Sequence, residues 1–205
     1  MKIVKWFFIS LVVLVVLVGL YFIYGVARFR DGEVKDLGVK YSYKDYTTAL
    51  EKAGVVVEDP SALSLGSEFT TEGTVRVEQE FTNSEVSALQ NISNEVSGPY
   101  KDVQIAFHSD GNIEASAMVT EPQINAPVYV KGRVERTGNK TFKITTSKIV
   151  AGKYAVPTLA QPYIDQRFEN YINGVLQKIS GLDVEKIEIK EGRAKFVGTV
   201  PAKIN

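Results

Sequence analysis

Cysteine is absent from this chain, and histidine occurs once, as His108. The first absence excludes disulfides, thiolate nucleophiles and Cys-based metal sites, although it does not fix the compartment. His108 stands at the mouth of an expected hairpin, where a lone histidine reads as a surface turn residue rather than a base or ligand. Net charge is absent as well. The 24 Lys and Arg balance the 24 Asp and Glu, so no basic field exists to draw nucleic acid. The chain has no G-x-S-x-G elbow, no S-x-x-K, no P-loop and no G-x-G-x-x-G. Asp110, Asn112 and Glu114 are calcium-ligand types without the spacing or central glycine of a calcium loop. Glu78 and Glu80 alternate with apolar residues, as on a solvated strand face, and form no acid–base pair. The expectation is a protein without catalysis, cofactor or metal.

What is present begins at once. Residues 6–27, WFFISLVVLVVLVGLYFIYGVA, form an uncharged and mostly apolar run. About 20 such residues in a helix cross the ~30 Å hydrocarbon core of a bilayer. Gly25 and Ala27 have the spacing of a signal-peptide cleavage site, but the run exceeds the ~7–15 residues of a signal h-region. Trp6, Phe7 and Phe8 at one end, with Tyr21, Phe22 and Tyr24 at the other, match the aromatic belts of a retained helix. The organisation expected is a tail at 1–5, a transmembrane anchor at 6–27, a charged juxtamembrane linker at 28–40 and one folded domain at 41–205. The flanking lysines and arginines do not settle orientation. A five-residue tail before a signal-like segment points to a single-pass protein with its domain outside the cytoplasm.

Within the domain, Ser42 and Asp45 set up a capped helix with Tyr43, Tyr46, Leu50 and Ala53 on one face and Gly54 as its stop. Val75, Val77 and Phe81 alternate with charged residues and predict a strand over 74–81. Thr82 and Glu85 form a capping box for a helix carrying Val86, Leu89 and Ile92, broken at Gly98-Pro99. Two hairpins follow: Val103 to Phe107 returning through Ile113 to Val119, and Val128 to Val134 returning through Phe142 and Ile144. A long helix between Thr158 and Ser180 starts either from a Thr158–Gln161 capping box or at Pro162, and Gly181 reads as its C-cap. Asp165, Gln166, Glu169, Asn170 and Lys178 stand opposite its apolar stripe, on what should be the solvent side. A last hairpin turns at Lys190 to Arg193. The fold class expected is α+β: an N-terminal transmembrane helix, then an antiparallel sheet of hairpins covered on one face by amphipathic helices. The helix-then-hairpin unit occurs twice, which raises a duplication, and open sheet edges would admit strand-adding partners.

Only one feature suggests a ligand. Tyr163, Phe168, Tyr171, Ile172 and Val175 make a broad apolar stripe on the long helix. It is either core or one wall of a groove for an acyl chain, where tyrosine suits a rim because its ring is apolar and its hydroxyl wet.

An anchor followed by Phe81-Thr82-Asn83-Ser84-Glu85-Val86-Ser87-Ala88-Leu89-Gln90-Asn91, and then Val150-Ala151-Gly152-Lys153-Tyr154-Ala155-Val156-Pro157 before a long helix, resembles membrane-anchored bacterial proteins of the YpmS-like type. The order of elements over about 41–201 is more loosely similar to mycobacterial LmeA-like phospholipid-binding proteins. The resemblance implies a bacterial cell-envelope protein with a sheet-and-helix, TULIP-like lipid-binding fold, and it assigns no functional residue. The expected function is a membrane-anchored envelope protein binding a lipid or other apolar ligand. Its rival is a tethered scaffold with a fully packed core that holds an envelope protein partner. In either case the bilayer is the first partner.

Overall fold

The computed structural model describes residues 32–63, 70–95, 100–120 and 125–204. The apolar run at 6–27 and the Gly98-Pro99 break lie outside them. Among the described residues, no helix is long and apolar enough to cross a membrane.

The first helix, α1 (Tyr43–Ala53), begins as its sequence dictates. The Asp45 amide donates to Ser42 Oγ at 3.3 Å, and the Ser42 amide donates to Asp45 Oδ2 at 2.7 Å. Gly54 ends it in the left-handed region at φ 62°, which costs a Cβ-free residue little. Strand β3 (Val75–Thr82) runs directly into α2 (Asn83–Asn94) through Thr82, its last residue and the helix cap. Glu85 completes the box and is 3% exposed, with Lys52 Nζ of α1 2.6 Å from Oε1. A buried carboxylate needs such a partner.

Both central hairpins form as the alternation requires: β4 (Tyr100–Phe107) with β5 (Ile113–Val119), and β6 (Ala126–Gly138) with β7 (Thr141–Ala151). Together with the short β8 (Tyr154–Ala155) they make one antiparallel five-stranded sheet in sequence order. A 3-10 turn at Thr158–Ala160 leads into α3 (Gln161–Gln177). No side chain caps that turn, and the α-helix starts one residue before Pro162. Neither expected start therefore holds, because the 3-10 turn supplies the first bonds in place of a cap. Gly181 lies four residues beyond the last helical residue, so its positive φ serves the turn into the next strand and not the helix end.

The last hairpin, β9 (Asp183–Lys190) and β10 (Arg193–Val200), does not extend the central sheet. Strand β10 pairs with β3 from the other end of the chain, giving a separate three-stranded sheet ordered β3-β10-β9. A small third sheet joins β1 (Val56–Val57), β2 (Thr71–Glu72) and β11 (Lys203–Ile204), the β1–β11 pair being parallel. The α+β class and its antiparallel character stand, but the sheet is three sheets and not one. Side chains from α1, α2, α3 and both larger sheets merge into one buried cluster, with Tyr100, Phe107, Phe142 and Phe196 its largest fully buried members. The second helix-then-hairpin unit thus joins a different sheet from the first, although each hairpin pairs with itself in the antiparallel sense.

Candidate functional site

The candidate stripe on α3 is divided by the fold. Tyr163 is 50% exposed and accepts a 2.7 Å hydrogen bond at its hydroxyl from Arg167, whereas Ile172 is 1% exposed within the core. The side chains of Phe168, Tyr171 and Val175 lie outside the described residues. A shallow apolar depression with room for only about 10 Å³ lies over Ile113, Ala115, Val130, Gly132, Val134 and Ile144. It is smaller than the ~300–1,000 Å³ usual for a lipid- or drug-sized ligand.

Other residues of α3 do something the periodicity alone concealed. Asp165, Glu169 and Asn173 face the backbone of β7. The Thr146 amide donates to the Asp165 carboxylate at 3.1 and 3.2 Å, and the Thr146 hydroxyl donates at 2.7 Å. The Ile144 amide donates to Glu169 Oε1 at 2.8 Å. Asn173 makes a two-way clamp, accepting from the Phe142 amide at 2.9 Å and donating to its carbonyl at 3.0 Å. Asp165 and Glu169 are therefore not on a solvent side, which corrects the sequence expectation. Burial raises the Asp165 pKa above the ordinary aspartate range, aided by Glu169 and opposed by the Thr146 bonds.

The opposite edge of the same sheet carries the same arrangement. Phe107, Ile105 and Val103 of β4 donate their amides to Asn83 Oδ1, Ser87 Oγ and Asn91 Oδ1 at 3.0, 3.0 and 2.9 Å. Asn91 returns a bond to the Val103 carbonyl at 2.8 Å. In both cases helix positions i, i+4 and i+8 meet strand positions j, j−2 and j−4. Four helical residues rise about 6.0 Å and two strand residues about 6.6 Å, so the two spacings nearly match. Unpaired edge amides are thereby satisfied by side chains instead of by another strand.

On the outer face of the sheet, residues 32–40 cross the strands as a strap. Gly32 sits so near Pro127 and Gly152 that a Cβ there would come within 3.1 Å of the proline ring. The Leu37 and Val39 amides both donate to Gln104 Oε1, at 2.8 and 3.2 Å. Lys35 Nζ reaches Glu114 Oε2 at 2.9 Å and lies 3.7 Å from the centre of the Tyr129 ring. Lys131 Nζ holds the other carboxylate oxygen of Glu114 at 3.0 Å, and His108 Nε2 stands 3.5 Å from it. Burial works to raise the Glu114 pKa, but hydrogen bonds from Lys35, Lys131 and Tyr129 outweigh it and hold the carboxyl at about 2. A carboxylate so firmly ionised is a latch and a poor proton donor. No signal beyond Lys35 itself marked this strap in the sequence.

The outward face of the β3-β10-β9 sheet is a lattice of opposite charges. Arg76 forks onto Glu185, Glu78 meets Lys195 at 2.6 Å, and Glu80 meets Lys190 at 2.8 Å and Arg193 at 3.0 Å. Each exposed pair is worth little, about 0–1 kcal/mol, yet together they present an ordered, charge-alternating surface. No group of three or more His, Cys, Asp or Glu that could hold a metal occurs among the described residues. Set against known protein families, characterised proteins and solved structures, the chain matches none.

Proposed function

We propose that this chain is a single-pass, membrane-anchored protein of the cell envelope whose extracytoplasmic domain works by binding, as a tethered scaffold, and not by catalysis. The observation that carries this reading is the continuity of the core. Ile172 sits at 1% exposure inside one buried cluster, and ladders from α2 and α3 close both long edges of the central sheet. A domain so closed offers its surface more readily than its interior, and the charge lattice on the β3-β10-β9 sheet is the surface best built for an envelope protein partner. The anchor adds the bilayer as a constant neighbour at high effective concentration.

A second reading keeps the interior in use. The exposed Tyr163 on α3 is what favours a site for a lipid or other apolar ligand, because the depression over Ile113, Val130 and Ile144 is too small to hold one without opening. Native mass spectrometry of the full chain released from detergent separates the two. The scaffold reading expects a single unliganded mass, and a stoichiometric co-purified lipid would overturn it in favour of the groove. Protease accessibility of the domain on intact cells tests its side of the membrane.

A further inference from the structure

The strap does more than hold residues 32–40, because it fixes which end of the domain meets the anchor. Gly32 is seated against Pro127 at the start of β6 and Gly152 after the end of β7. The apolar run ends at Ala27, five residues earlier. Five extended residues reach roughly 18 Å, so this end of the sheet stands at the bilayer surface whenever the run spans the membrane.

The same end carries Leu159, the most exposed large apolar side chain among the described residues, together with two of the exposed tyrosines; Tyr43 at 66% and Val56 at 62% are exposed elsewhere. Leu159, on the 3-10 turn before α3, is 97% exposed, Tyr154 on β8 is 53% exposed and Tyr163 on the first turn of α3 is 50% exposed. Lys153 and Arg167 flank them, both exposed. Residues 136–164, which hold all of the patch but Arg167, contain no Asp or Glu in a chain that has 24 of them. Its tip is therefore apolar and aromatic without acid, while Glu33 of the strap is exposed beside Gly32. An aliphatic tip between two tyrosines, rimmed by cations, matches the gradient of the lipid interface. Hydrocarbon accepts the leucine, the headgroup level accepts tyrosine rings with wet hydroxyls, and phosphates accept Lys and Arg.

We propose that this end of the domain, with Leu159 at its tip between Tyr154 and Tyr163 and Lys153 and Arg167 at its rim, docks into the interfacial layer of the phospholipid bilayer next to the anchor. The proposal rests on the membrane-anchored reading above. Docking would hold the sheet at a fixed attitude, its far turns at His108–Asn112 and Gly138–Thr141 directed away from the membrane.

The absence of cysteine makes the test clean. The full chain carrying Leu159→Cys, labelled with an environment-sensitive fluorophore, is reconstituted into vesicles of phosphatidylcholine and phosphatidylglycerol. Asp110→Cys at the far end is the control. The label at 159 should be quenched by brominated lipid about threefold or more above the label at 110, and shielded from iodide. A label at Tyr154→Cys should behave like the one at 159 and lose its lipid quenching when Leu159→Glu is added. Equal water exposure at 159 and 110, in chains that resist carbonate extraction, would overturn docking while leaving the anchor intact. Release of the chain by carbonate would overturn the anchored reading and docking together. Shielding that brominated lipid does not quench, and that grows with chain density in the vesicle, would assign the patch to a second copy and overturn the proposal.

Discussion

The two long edges of the central sheet are closed by one geometry in two chemistries. Along β4, α2 presents Asn83, Ser87 and Asn91, which are neutral. Along β7, α3 presents Asp165, Glu169 and Asn173, two of them carboxylates. Both edges need acceptors at the same spacing, and both end in an asparagine that gives and takes. What differs is the cost of desolvation. Asn and Ser carry no charge to bury, whereas Asp165 is partly buried and its pKa rises in consequence. The spacing of the acceptors closes the edge, and their charge decides whether the closure depends on pH.

The largest effect should come from the clamps. Asn91→Ala and Asn173→Ala each remove two bonds to the strand, and Asn91→Ala also one to the Ser87 carbonyl, leaving a strand amide and carbonyl unmet, so each should cost about 2–3 kcal/mol in urea unfolding. A loss confined to one edge would show that the two are not equivalent. Next is Ser87→Ala, which strips the side-chain acceptor of the buried Ile105 amide and should cost about 1–2 kcal/mol by the same measurement. Asp165→Asn sharpens the contrast in charge. A pKa raised by folding favours the native state below the unfolded value and gives up that advantage as pH rises through the folded value. The substitution should therefore flatten the stability–pH profile in and just above the carboxylate range, whereas Asn83→Ala should lower stability by about 1 kcal/mol equally at every pH. The smallest effect lies off the edges. Glu114→Gln should cost about 1 kcal/mol or less and show mainly as faster proteolysis within residues 32–40. In the unsubstituted chain the depressed Glu114 pKa reverses the sign. Its contribution is full above about 4.5 and fades only as pH falls towards 2. Strap protection should therefore persist in mild acid.

What could be read in advance follows the range of the interaction responsible. The capping pairs Ser42–Asp45 and Thr82–Glu85 act within one helical turn, and both helices begin where those residues stand. The two central hairpins were equally legible, since their alternation and turns are local. The pairing of Arg193–Val200 with Val75–Thr82 was not, because nothing within either strand names a partner so distant in sequence. Asp165 and Glu169 were misplaced for a related reason. A polar stripe looks the same whether it faces water or the amides of a sheet edge, although short acceptors at strict four-residue spacing, without lysine, distinguish it in retrospect. Tyr163 and Ile172 share one apolar stripe, yet one is exposed and the other is core. Periodicity assigns a face, and only the tertiary fold says what covers it.

The strap also has a mechanical meaning. A pull on the chain ahead of Gly32 would act across the strands and not along them, so the contacts at Gly32, Lys35, Leu37 and Val39 would yield one after another while the sheet stayed whole. Freeing residues 32–40 would add about 30 Å of tether at ~3.3–3.6 Å per residue. Were the run at 6–27 to anchor the chain in a bilayer, the domain could stand off by that length under load before any strand let go.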